Sequence, residues 1–215
     1  MVDRRDETDG AEDNRTEGVM SLAHGFGGGD FLSHPGEWTV QEVLDLPEDS
    51  HQRTELVDGA LIMSPSAGVP HQRAMVRLWR VLADAAEAVG APVEVLPDVN
   101  VLVPCGLLIP DIAILDAQVA ARADKVVPAE AVFVVVEVVS PSNRRTDMAL
   151  KPKVYAEAGI PQYWRVELAP AACITVDELD GGRYVTTQVI TAGRPGQVLK
   201  PFPVDLDPGI LPGPR

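Results

Sequence analysis

Along residues 69–89 the apolar positions Met75, Leu78, Trp79, Leu82, Ala85 and Ala86 recur at intervals of three and four, with Gly90 behind them, which predicts a long helix packed across a sheet. Most of the remaining chain reads as strands. Arg53 to Met63 predicts two strands folded on Asp58-Gly59, a dipeptide that tolerates the positive φ angles of a tight hairpin, and Ser64-Pro65-Ser66 closes the second. Val93 to Val103, Leu107 to Leu115 and Ala131 to Val139 predict three more. The last is an almost unbroken run of Val and Phe, the pattern of a strand covered on both faces. Thr39-Val40-Gln41-Glu42 forms a capping box ahead of Val43, Leu44 and Leu46, so a short helix is expected there, ended by Pro47. A second helix covers about Asp147 to Ala158 and stops at Gly159. Gln162 to Leu168, Ala172 to Glu178 and Arg183 to Ile190 follow as strands, the last two around Asp180-Gly181-Gly182. This order predicts an α/β fold, a central mixed sheet flanked by helices, with the C-terminal hairpin strands extending one edge.

Composition divides the chain further. Its 215 residues suit one domain, and 46% hydrophobic content is enough for a core. Residues 1–30 carry eight acidic and three basic side chains and several glycines, the composition of a disordered tail. Residues 31–200 are expected to form the single folded domain, and the Pro-rich extension 201–215 to lie along the surface or fray. The formal charge of −14 argues against broad non-specific binding to nucleic acid, so a DNA substrate requires a local basic patch. Neither an apolar run long enough for a membrane nor a secretory start is present, and a cytoplasmic protein is expected. Cys105 and Cys173 read as small buried residues. His24, His34, His51 and His71 lack metal-ligand spacing, which leaves oxygen-bound metals.

The chemistry lies in the most apolar stretches. Asp111 follows Pro110 in one strand, and Glu137 stands between Val136 and Val138 in the Val-rich strand, where an ionised carboxylate costs several kcal/mol unless paired or metal-bound. Glu55 adds a third acid in the first hairpin. Lys151 and Lys153 follow downstream. Three acids and a lysine can hold Mg²⁺ by oxygen atoms while the lysine orients water and offsets phosphate charge.

These residues sit in a longer set of motifs: Glu55-Leu56-Val57-Asp58-Gly59; Ser64-Pro65-Ser66 with His71 after it; Pro110-Asp111-Ile112-Ala113; Val136-Glu137-Val138-Val139-Ser140-Pro141-Ser142; and Lys151 with Tyr155 to Trp164. In order and spacing, over about residues 36–170, the set resembles the Uma-type restriction endonucleases of the PD-(D/E)XK nuclease superfamily. The resemblance implies a restriction-endonuclease-like core and an endonuclease that hydrolyses DNA with Mg²⁺ (or Mn²⁺). Asp111 and Glu137 are then the metal-binding acids, Glu55 an additional acid, and the Val138 carbonyl a further oxygen. The usual lysine two residues after the glutamate is Val139 here, and Lys151 matches the position of a migrated lysine. Pro152 would kink a helix begun at Asp147, and Lys153 is the fallback. A homodimer would bring two such sites to two strands. No organic cofactor is implied.

Other residues have plainer readings. His71, at the start of the long helix, reads as a packing or hydrogen-bonding imidazole and stays outside the catalytic set. Arg73, Arg77 and Arg80 share a helical face and, with Arg144 and Arg145, could supply positive surface, although a solvated face is the simpler reading. Trp164 and Tyr163 read as core. The alternative to an enzyme is a nuclease fold that binds nucleic acid or protein without cutting, motivated by Val139 and the acidic surface. A third reading is an interaction protein whose acidic tail recruits a basic partner.

Overall fold

The computed structural model describes residues 34–47, 52–140, 144 and 146–213. Glu37–Arg215 is one compact unit, and the fold below is that unit's. The expected tail, residues 1–30, lies outside the described residues, as do Pro141, Ser142 and Arg145.

Helix α1 (Val40–Leu44) is closed by the predicted capping box, in which the Glu42 carboxylate accepts from the Thr39 amide at 2.8 Å. Strands β1 (Gln52–Val57) and β2 (Ala60–Pro65) form the predicted hairpin, with Asp58 at φ 48° and Gly59 at φ 74° in the turn. Helix α2 (Val69–Ala88) follows. The expected strand Val93 to Val103 is in fact β3 (Val93–Pro97) and β4 (Asn100–Val103), and Leu107 to Leu115 is β5 (Gly106–Leu108) and β6 (Ile112–Asp116). At each break the chain leaves one sheet for another. Asp98 takes φ 51°, outside the strand region, and Pro110 has no amide to give a ladder. Two short elements that the hydropathy pattern does not reveal, α3 (Ala117–Ala120) and β7 (Val126–Pro128), precede β8 (Val132–Val138).

A single wide π turn over Thr146–Leu150 leads into α4 (Lys151–Glu157). This corrects the continuous helix expected from Asp147. Pro152 stands in the first turn of α4, where its missing amide is harmless, and the wider turn before it absorbs the mismatch. Strands β9 (Gln162–Glu167), β10 (Cys173–Asp180) and β11 (Arg183–Thr191) complete a six-stranded sheet of order β11-β10-β9-β8-β6-β3. Only β8 and β9 run parallel within it, joined by the crossover that carries α4. The sheet is mixed and the terminal hairpin extends one edge, as predicted. A second sheet, β2-β1-β5-β4-β7, is not apparent from the sequence pattern.

Side-chain alternation explains the layers. Val134, Val136 and Val138 face α2, whose Ala74, Met75, Leu78 and Leu82 are buried against that side of the sheet. Val135 on the other face meets Val154 and Tyr155 of α4 and Val101, Val103 and Leu108 of the five-stranded sheet. Glu137 shares the parity of Val135, so the pleat aims it at α4. In β1, Arg53 and Glu55 share the parity of Val57, which packs in the same layer. The backbones of β1 and β5 approach closely at Gly106 (φ 152°), where a Cβ would lie 2.1 Å from the Leu56 carbonyl oxygen.

The C-terminal stretch does not lie loose on the surface. After β12 (Gly196–Val198), Phe202, Leu211, and Val204 and Leu206 of β13 (Val204–Leu206) are buried in the α2 layer. Arg73 and Arg77 donate to the carbonyls of Pro212 and Ile210. No helix among the described residues is long and apolar enough to cross a membrane.

Candidate active site

Two neighbouring charge clusters lie between the sheets. The first is centred on Lys151, whose ammonium is 2.9 Å from Glu137 Oε1, 3.0 Å from Glu55 Oε1 and 4.0 Å from Asp147 Oδ1. The hydroxyl of Tyr155, one turn on from Lys151, donates to the same Glu137 oxygen at 3.0 Å. Glu55 Oε1 also accepts the Ile109 amide at 2.7 Å, which ties β1 to the chain crossing beside Asp111. Glu55, Glu137, Asp147 and Lys151 are all buried. The π turn sets the approach of Lys151, and its Asp147 carbonyl accepts from the Tyr163 hydroxyl. Lys153, in contrast, is exposed.

The second cluster is centred on Asp111, at the crossing from β5 to β6. Its Oδ2 accepts the Val138 amide at 2.7 Å and lies 3.1 Å from His71 Nε2; its Oδ1 accepts from Arg53 Nη1 at 2.9 Å. Arg53 also donates to the Ile109 carbonyl at 3.3 Å and pairs with Asp98 at the other crossing. The two breaks in the strands are therefore joined by one guanidinium.

The electrostatics differ between the clusters. Burial pushes Glu137 well above the ordinary carboxylate range, and Asp111, Asp147 and Glu55 push the same way, against Lys151. Burial also lifts Asp147, to about 6. Lys151 is held charged by Glu137, Glu55 and Asp147 despite burial, which acts in the opposite direction. For Asp111 burial is outweighed by the His71 hydrogen bond and by Arg53, and its value falls to about 2.

The three acids and the lysine expected from sequence thus divide. Glu55 and Glu137 both touch Lys151; Asp111 reaches the backbone of Val138, next to Glu137, but directs its carboxylate to Arg53 and His71. Arg53, Asp147 and Tyr155 belong to the same centre without having been singled out by sequence. Arg53 lies two residues before Glu55, and on a strand that spacing places both on one face, the signal that could have found it. His71 does hydrogen-bond, as expected, and its partner is the Asp111 carboxylate. Trp164 is fully buried, with its indole N–H on Gln162.

The donor set suits a hard cation in type, since all its members offer carboxylate oxygen. It suits one in charge too: four buried acids face two permanent cations, Lys151 and Arg53, and burial, with the neighbouring acids acting the same way, raises the proton affinity of Glu137 and Asp147. As placed, the Lys151 ammonium lies between Glu55 and Glu137, and among the described residues no three His, Cys, Asp or Glu side chains are grouped so that they could hold an ion.

The profile of the Uma2 family, described as putative restriction endonuclease, matches residues 40–209. The chain belongs to the Uma2 family. The match spans both charge clusters and the segment of the C-terminal stretch that packs under α2. Among solved structures, a putative nuclease of the DUF820 family from Anabaena variabilis superposes with a TM-score of 0.60 at 16% identity, over 76% of this chain and 89% of that one. At that identity the likeness shows the fold, a nuclease fold, which is the restriction-endonuclease-like architecture expected for an Uma2 chain. No curated protein matches.

Proposed function

We propose that this Uma2 chain is a Mg²⁺- or Mn²⁺-dependent endonuclease that hydrolyses DNA phosphodiester bonds. The observation that carries the reading is the convergence of Lys151 on Glu137 and Glu55. A lysine displaced by fourteen residues along the sequence from Glu137 still reaches it, as the migrated-lysine reading requires. Asp111, Glu137 and Glu55, with the Val138 carbonyl, would hold the ion. When bound, a divalent ion polarises a phosphoryl oxygen and makes water a better nucleophile. Lys151 supplies fixed positive charge close to those acids, where negative charge grows on the reacting phosphate, and its burial makes that charge more effective than it would be in water. Tyr155 fixes the Glu137 carboxylate, and Arg53 fixes Asp111. Homodimerisation would present two such sites to two strands.

The test is cleavage of supercoiled plasmid with Mg²⁺ or Mn²⁺. Glu137→Gln, which keeps side-chain volume, is expected to lose about a hundredfold or more of the rate, the scale of removing one preorganised electrostatic group. Equal rates in wild type and variant would overturn the assignment.

A second reading, a nuclease-fold module that binds without cutting, is favoured by one observation: the acids already have partners within the protein, Glu55 and Glu137 in Lys151 and Asp111 in Arg53 and His71. Calorimetric titration separates the two. Retained DNA affinity with no Mg²⁺ or Mn²⁺ binding supports the module and removes the enzyme.

A further inference from the structure

Two hollows adjoin in a cleft at the start of α2, with Gly68, His71 and Ser140 as their shared wall. On the Asp111 side the hollow measures about 180 Å³ and is lined by polar groups, among them Gln52, Arg53, Ser64 and Gln72. On the other side it measures about 380 Å³ and its walls are largely apolar, from Pro70, Val139, Leu168 and Ala169, with the Arg144–Glu167 pair at the rim. The larger volume is within the range of small-molecule pockets.

Three further facts point to an occupant. Among the described residues, the buried side-chain atoms left without a hydrogen-bond partner are Gln52 Oε1 and His71 Nδ1, and both residues line the polar hollow. Unsatisfied buried polar atoms are costly enough that a ligand or water is expected to meet them. The twenty-residue helix α2 begins at this cleft, at Gly68, with no side-chain cap and no acid of its own in the first turn, where the Asp111 carboxylate meets His71 at 3.1 Å. Finally, of the arginines that could have formed an outer basic stripe, the described ones have partners that limit their reach: Arg73 and Arg77 donate to C-terminal carbonyls, Arg80 lies 3.7 Å from Asp84, and Arg144 pairs with Glu167. Duplex DNA presents two rows of phosphates to an extended surface and is held largely by available cations. An unpaired nucleotide can instead enter a hollow and leave one phosphate to local donors.

We propose that this cleft is a subsite for one unpaired nucleotide, its phosphate in the polar hollow beside Asp111 and its base between Pro70, Val139 and Leu168, so that single-stranded or locally unpaired DNA is the substrate. The inference rests on the nuclease reading for its biological meaning, but binding tests it separately. The probe is a fluorescein-labelled oligothymidylate of about 12 nucleotides, a length one small binding fold can span, compared by anisotropy with the same strand annealed to oligoadenylate, using the full chain. The single strand is expected to bind about tenfold more tightly than the duplex. Ala169→Trp, at an exposed wall position, fills the apolar hollow and is expected to remove most of that preference with an unchanged melting temperature. Gln52→Leu, at the polar end, should weaken the single strand several-fold. Equal affinity for both probes, or undiminished preference in Ala169→Trp, overturns the subsite. Preferential single-strand binding without any cleavage supports the subsite and removes the nuclease; cleavage of duplex with no single-strand preference does the reverse.

Discussion

The Lys151 and Asp111 clusters are neighbours built from the same kinds of side chain, yet they handle charge in opposite ways. Around Lys151 everything is sealed: its side chain is 4% exposed, that of Glu55 1% and that of Glu137 2%, and three acids share one cation. Around Asp111 two acids, Asp111 and Asp98, share Arg53, Asp111 has His71 and a backbone amide besides, and Arg53 and His71 retain 22% and 12% exposure at the edge of a hollow. The first cluster is short of positive charge, the second well supplied. On the proposed reading, an incoming cation would relieve most charge beside Lys151, while an incoming phosphate would reach the centre beside Asp111.

Lys151→Ala should have the largest effect on stability, because it strands Glu55, Glu137 and Asp147 without a cation. Breaking a buried pair from one side costs roughly 3–5 kcal/mol, or about 10 °C in Tm for a domain of this size, in a thermal melt without divalent ions. Mg²⁺ should restore part of that loss if the acids accept an ion. Arg53→Met should cost less, roughly 2–3 kcal/mol, since His71 and the Val138 amide still serve Asp111. Parity between these two variants would erase the distinction between sealed and open clusters.

Asp147→Asn should act in the opposite direction. Its carboxyl is raised to about 6 in the folded protein, chiefly by burial. The protonated form is thus favoured by folding, and the stability it contributes is present below pH 4 and lost as pH rises through 6. At pH 7.5 the amide should raise stability by roughly 1–2 kcal/mol, a gain that vanishes near pH 4 in melts at graded pH. Asp111 has the reverse sign: depressed to about 2, its contribution holds above pH 4 and disappears as pH falls toward 2. Tyr155→Phe is the smallest change. Loss of one hydrogen bond to Glu137 should cost about 1–2 kcal/mol by urea melt, with the fold intact. No change at all would mean that Tyr155 does not hold that carboxylate.

Much of this arrangement is legible in the sequence, because strand parity and helix period are local. The hairpin on Asp58-Gly59, the long helix, the Val-rich strand and the burial of Glu137 all follow from spacing. The second sheet does not, since the alternation of Val93 to Val103 continues past Asp98 and gives no sign that the chain changes sheets there. That crossing and its counterpart at Asp111 are tertiary events, and with them go the roles of Arg53 and His71. The aim of Lys151 was similarly hidden, because Pro152 signals that a regular helix cannot run through but not that a π turn replaces it.

One feature far from the charged groups also bears on them. Where β1 passes β5, hydrogen takes the place of a methyl group, and the two backbones are closer than any other residue would permit. Glu55 rides on one of those backbones and its Ile109 anchor follows the other. Gly106 therefore acts as a spacer gauge: enlarging it to alanine would wedge the strands apart and loosen the grip of Glu55 on Lys151, a defect at the buried charged centre caused by a residue outside it.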